Sequence, residues 1–142
     1  SLLNYTKSIN SFKKKQQMKK NYTFYFDPDT QIMYKYYYGE ISFDDIESSW
    51  NEAINKNIIP DETSGFILDY QKASVNIPVK LYNQIPAYYK QHLDIFGGKR
   101  IAILTTNPKD IVIPVLVETE SQGFESKPFS TEEAAIKWIL KK

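Results

Sequence analysis

Gly65-Phe66-Ile67-Leu68-Asp69-Tyr70 is the stretch whose reading decides the fold. Three large apolar residues run together after a turn-forming segment, Pro60-Asp61-Glu62-Thr63-Ser64. A run this short and this apolar reads as a strand covered on both faces, as in a sheet with parallel pairs. A polar segment, Gln71–Ile77, follows it and reads as a loop, which places Asp69 at the carboxyl end of the strand.

Working outward, a second buried strand is predicted at Arg100–Thr105, where Ile101-Ala102-Ile103-Leu104 run together. Pro78 starts a helix between the two, with Leu81, Tyr82, Ile85, Tyr89 and Leu93 inward. Pro86 removes a helical hydrogen bond and should kink or split that helix near residue 84. Gly97-Gly98 stops it. Upstream of the central strand, Ser42 caps a helix whose first turn carries Asp44 and Asp45, where acids suit the positive end of the dipole. Its predicted buried stripe is Ile46, Trp50, Ala53, Ile54 and Ile58, and Pro60 ends it. Before that helix, Asn21–Phe26 and Gln31–Gly39 form a β-hairpin across the turn Asp27-Pro28-Asp29-Thr30.

Downstream, Thr106-Asn107-Pro108 is a strand-end loop. Residues 111–117 are β-branched and suit a strand on propensity, but Pro114 and Gly123 fit the two ends of a helix over 112–122. Phe124–Phe129 is a short strand that Pro128 marks as an edge. Ser130 and Glu133 read as a capping box opening a last helix, which buries Ala134, Ala135, Trp138 and Ile139 or Leu140. The order ββαβαβαβα implies an α/β fold: a mixed five-stranded sheet with an N-terminal β-hairpin and three βα crossovers. Strand order is not legible.

The chain has 142 residues, which favours a single α/β domain over 21–142 preceded by a basic extension over 1–20. There is no cysteine, which excludes disulfides, thiolate metal sites and thiol nucleophiles. Residues 1–20 carry six lysines and no acid, so the remaining 122 carry 12 bases against 17 acids, a balance of −5. That acidic body argues against a nucleic-acid partner. In the extension, Leu2, Tyr5, Ile9 and Phe12 fall on one helical face, which would pack on the body or on a neighbouring chain; a homodimer is one assembly this allows. Its lysines predict weak peripheral contact with anionic membranes. Met18 suits a natural start, which would make residues 1–17 an upstream extension. No apolar run is long enough to span a membrane, and no apolar segment follows the N-terminal lysines as in a secretory signal.

No constellation of residues specifies chemistry. His92 is the sole histidine and sits late in a helix, where the dipole favours a cation. No nucleophile elbow and no glycine-rich phosphate loop is present. Asp27-Pro28-Asp29 reads as a turn, and Asp44, Asp45 and Glu47 as first-turn acids, so no metal site is expected. Tyr34, Tyr36 and Tyr38 share one strand face and read as core residues with wet tips, although such rings can also line a groove. Sheets with parallel strands bind ligands beyond the carboxyl ends of those strands. That rule gives Asp69, Tyr70, Ser74, Asn76, Thr106 and Asn107 as candidate ligand-binding residues.

The order of these pieces resembles the SpoIIAA-like (STAS/SEC14-type) proteins. The resemblance rests on Tyr37 to Ile41, the helix with Trp50, Gly65 to Asp69, Gly98 to Ile103, and Phe129 to Trp138 with its Phe-x-x-x-Glu-Glu-Ala-x-x-Trp pattern. It implies a small cytoplasmic bacterial α/β module that is regulatory or ligand-binding rather than enzymatic. It implies no cofactor, and an unidentified protein or small molecule as partner. A lipid or metabolite binder of SEC14 type, or an enzyme with its site at the strand-end loops, are the alternatives. STAS relatives carry a phosphorylated serine in an Asp-Ser-Ser-Gly-like motif after the central strand. This chain reads Asn76-Ile77-Pro78-Val79-Lys80 there, so that switch does not carry over, and Ser74 is the nearest candidate for phosphorylation.

Overall fold

The computed structural model describes residues 20–107 and 123–142. Five strands form one sheet: β1 (Tyr22–Phe26), β2 (Ile32–Ile41), β3 (Gly65–Val75), β4 (Arg100–Leu104) and β5 (Glu125–Phe129). They lie side by side in chain order. β1 is antiparallel to β2, and the other pairs are parallel. The expected hairpin, central strand and β5 edge are all present. The expected extension and the helix over 112–122 lie outside the described residues. Among the described residues, no helix is long and apolar enough to cross a membrane.

The helices are α1 (Phe43–Asn55), α2 (Gln84–Gln91), α3 (Leu93–Phe96) and α4 (Glu132–Leu140), with a 3₁₀ turn at Val79–Leu81. They divide the core in two. Ile46, Trp50 and Ala53 of α1 and Ile85, Tyr88 and Tyr89 of α2 pack with Met33, Tyr37, Phe66, Leu68, Tyr70, Ile101 and Ile103. On the other face, Ala135 and Ile139 of α4 pack on Ile32, Tyr34, Ile67, Ala102 and Leu104. Crossovers of one hand stepping one way along a sheet place their helices on one face, and α4, after the last strand, covers the other. Trp50 is fully buried and touches the rings of Phe24, Phe66, Tyr89 and Phe96. Gly65 is required by close approach, because a Cβ there would lie 2.5 Å from Ile139 Cγ2 and 3.0 Å from the Arg100 carbonyl.

Local signals explain the helix ends. Ser42 and Asp45 form a reciprocal capping box at α1. That helix stops at Asn55, not at Pro60. Asn57 takes φ +55°, and its N–H and that of Ile58 donate back to Ile54 and Ala53. This is a Schellman cap. It turns the chain so that Ile59 is buried and Ile58, expected inside, is 40% exposed. Pro86 splits the following helix as expected. It sits in the first turn of α2, where a missing N–H leaves no bond broken. Leu93 falls beyond the His92 break and is exposed.

Thr131, not Ser130, caps α4: its hydroxyl accepts from Ala134 N at 3.2 Å. The one-residue shift turns Ala134 and Leu140 outward and leaves Ala135 and Ile139 inside, with Trp138 half-buried.

The largest correction concerns residues 71–75. They are not a loop: β3 continues through them and pairs with Tyr38–Ile41 of a longer β2. Ala73 and Val75 pack toward the core while Lys72 and Ser74 face out. This half-exposed alternation is a strand pattern in polar dress.

Candidate functional site

β4 pairs only with Gly65–Asp69 of β3, so beyond that point β2 and β3 continue as a two-stranded ribbon. Asp69 therefore lies mid-strand, level with Leu104 at the end of β4. The ladder slips at this point. Tyr36 pairs with Asp69 and Tyr38 with Lys72, so Tyr70 and Gln71 together oppose Tyr37. The extra residue is a β-bulge, rare between parallel strands and frequent beside binding sites.

The slip decides which side chains meet. Regular alternation would send Asp69, Gln71, Ala73 and Val75 to one face. Instead Asp69, Gln71 and Lys72 line a cleft on the α4 side, whereas Tyr70, Ala73 and Val75 pack on the opposite face. Thr23 and Tyr25 of β1 and Tyr36, Tyr37 and Tyr38 of β2 complete the cleft, a cavity of about 300 Å³, although the Tyr37 ring packs in the opposite core. Its rings continue a tyrosine row: Tyr25 stacks on Tyr34 at 5.9 Å, and Tyr34 on Tyr36 at 5.8 Å. The Tyr34 hydroxyl donates to Glu132 Oε1 at 3.3 Å, tying the row to the first turn of α4. Thr23 Oγ1 and the Tyr38 hydroxyl are 3.4 Å apart.

Asp69 is half-buried, and its Oδ1 accepts from the Gln71 N–H at 2.9 Å. Burial raises its carboxyl above the ordinary value; the Gln71 bond works the other way, Glu132 adds to the rise and Lys72 opposes it. Among the described residues no cation lies within ion-pair distance of it. Burial and then Glu132 also raise the Tyr36 phenol.

The six candidate residues do not form one site. Asp69 lines the cleft. Tyr70 is buried on the far face, its ring 4.4 Å from that of Tyr37. Ser74 is exposed, five residues along the strand from Asp69 and roughly 16 Å away at strand rise. Asn76 Nδ2 donates to Glu40 Oε1 at 2.9 Å, at that same remote end. Thr106 is exposed just past Leu104, and Asn107 is half-buried with its N–H donating to Thr105 Oγ1 at 3.1 Å. Neither lines the cleft. Tyr36, partly buried against the α4-side core, and Tyr38, exposed, both line the cleft. Their shared face was legible; their exposure was not.

A larger cavity of about 510 Å³ lies near the amino ends of β3–β5, between Ser64, Arg100, Phe124 and Lys141. Its arginine is already engaged: it donates to the carbonyls of Trp138, at 2.6 Å, and Lys141, and it pairs with Glu125 at 3.4 Å. His92 caps α2, with its ring 4.6 Å from Tyr88, on the face opposite the cleft. Among the described residues no cluster of three His, Asp or Glu could hold a metal.

Among solved structures, the chain is similar to an uncharacterised protein of the DUF3478 family from Shewanella loihica PV-4, which has a SpoIIAA-like fold. The likeness has a TM-score of 0.56 and covers 83% of this chain and 91% of that one. The fold is SpoIIAA-like. Identity is 12%, so the likeness extends to the fold and not to residues. No protein-family model matches the sequence, and no curated protein matches it.

One further residue escaped the sequence. Lys35 of β2 is fully buried in the α1-side core. Its Nζ donates to Ser49 Oγ and lies 4.1 Å from the Trp50 ring centre and 4.5 Å from that of Tyr37. Burial holds its amine well below the ordinary lysine range.

Proposed function

We propose that the chain is a non-enzymatic module that binds a small ligand in the bulged cleft. One observation carries this reading: the β-bulge gathers a half-buried carboxylate, an amide and an ammonium group under three tyrosine rings. Stable folding does not need such a gathering, since a half-buried Asp69 without a counter-charge disfavours the folded state. Ligand sites combine apolar walls with a few placed polar groups in this way. The cleft volume of about 300 Å³ suits a metabolite-sized ligand better than a two-chain lipid. Among the described residues, Asp69 is the only carboxylate lining it, and the sole histidine of the chain lies across the sheet.

The test is a fragment screen by chemical-shift mapping on the full chain, followed by thermal shift. A fragment at ten times its Kd should add about 1.4 kcal/mol of stability. The gain should vanish in Tyr36→Ala. Fragments that bind only outside the cleft, or turnover of a bound fragment, would overturn the reading.

A further inference from the structure

The geometry points to a small organic cation, an amine or a methylated ammonium on a compact apolar body, as the ligand class of the cleft; this rests on the cleft being a binding site. The walls are the rings of Tyr25, Tyr36 and Tyr38, and ring faces attract cations through their quadrupole. Asp69 lies among them with one oxygen turned to the Gln71 N–H and the other without a hydrogen bond among the described residues. A second acid, Glu132, stands at the end of the same tyrosine row, where it accepts from the Tyr34 hydroxyl at 3.3 Å.

Among the described residues, Lys72 is the one base that lines the cleft, and it is exposed. Among the described residues, Asp69 in the cleft and Glu132 at the end of its tyrosine row outweigh that one exposed ammonium, which disfavours phosphate and carboxylate ligands. The Gln71 N–H, a group of the kind that holds anions, already serves Asp69. The tyrosine hydroxyls add acceptors at the rim, which suits a donor such as an ammonium N–H or a polarised N-methyl group.

Three probes of one shape isolate the charge: choline, its neutral isostere 3,3-dimethylbutan-1-ol, and the anion 3,3-dimethylbutanoate. Each is titrated into the isotopically labelled full chain while the amides of residues 23–25, 36–38 and 69–72 are followed. Choline should bind at least about tenfold more tightly than the alcohol, the size of one good cation–π contact with a carboxylate nearby. The anion should bind most weakly. Asp69→Asn should erase the preference for choline, whereas Lys72→Gln should strengthen choline binding a few-fold. A gain on substitution separates the charge effect from loss of folding. Equal binding of choline and the alcohol, or tighter binding of the anion, overturns the cation assignment and leaves the ligand-binding reading intact. If no probe and no fragment from the wider screen moves these amides, both fail.

Discussion

Lys35 has no carboxylate within ion-pair distance among the described residues, and burial alone accounts for the lowering of its pKa. Lys35→Met removes the amine and keeps an unbranched chain that fits the same slot. Two effects compete. Contacts with the Trp50 and Tyr37 rings, at 4.1 and 4.5 Å, could hold a charged amine at about 2 kcal/mol each when dry. Dehydrating an ammonium group costs several kcal/mol even after relaxation. Burial lowers the amine's pKa, so the balance falls against the charged form and weakens the fold at neutral pH. Methionine should therefore stabilise the protein by about 1–4 kcal/mol, the range found when buried ionic groups become apolar.

The pH dependence has a definite sign. The unfolded chain holds the Lys35 proton up to about 10.5 while the folded chain sheds it earlier. Wild-type stability should therefore climb with pH through that window and be complete above it. Urea unfolding of both proteins at pH 7, 8 and 9 measures this: the advantage of Lys35→Met should shrink as pH rises. A variant less stable than wild type by more than about 1 kcal/mol, with an unchanged gap across pH, would show a charged lysine held by its rings, and would refute the reasoning.

Ser49→Ala should cost about 1–3 kcal/mol in urea unfolding, because the Lys35 amine loses its one hydrogen-bond partner in the core; no loss would mean that the amine has another partner. Asp69→Asn should leave stability unchanged or raise it by less than about 1 kcal/mol at pH 7, since its carboxyl is raised by burial yet partly screened by water; a clear loss would make Asp69 structural. Gly65→Ala should lower stability by about 1–3 kcal/mol through the clash with the Ile139 Cγ2 methyl, and Ile139→Leu, which lacks that methyl, should recover part of it in the double variant. Deleting Gln71 should leave a folded chain by circular dichroism but abolish choline binding in the same titration. Retained binding would show that the bulge does not make the site.

Strong local signals made most of the fold legible. Gly65–Tyr70, Arg100–Leu104, the Ser42 cap and the Pro86 split each depend on chemistry that a few adjacent residues carry. The errors fall where a distant element decides. The end of α1 turns on a single left-handed Asn57. Residues 71–75 are polar enough for a loop and become a strand only because β2 is long enough to pair with them. Lys35 lies in phase with Met33 and Tyr37, but tyrosines in both phases (Tyr37 in one, Tyr34, Tyr36 and Tyr38 in the other) hide which is inward. Of the candidate residues only Asp69 entered the cleft, because the strand-end rule assumed that β3 stops where β4 does.

The bulge is the least legible feature and the one on which the site depends. Pairing resumes at Tyr38 with Lys72, and from there Ala73 and Val75 face the core and Ser74 faces out. A strand lacking Gln71 would keep those directions, because removing one residue restores the alternation that its insertion broke. Core packing therefore does not require the bulge. What it changes is spacing. Without it, Asp69 and Lys72 would be next-but-one neighbours on one face, about 7 Å apart at the backbone and able to pair. With it, the ammonium is set one residue farther along, and the Gln71 N–H takes one oxygen of Asp69. The carboxylate is thus held in place, partly dried and not neutralised, beside rings fixed by strand pairing rather than by a loop. A site built on paired strands is preorganised, so the free energy lost in holding Asp69 unpaired is available again when a cation arrives.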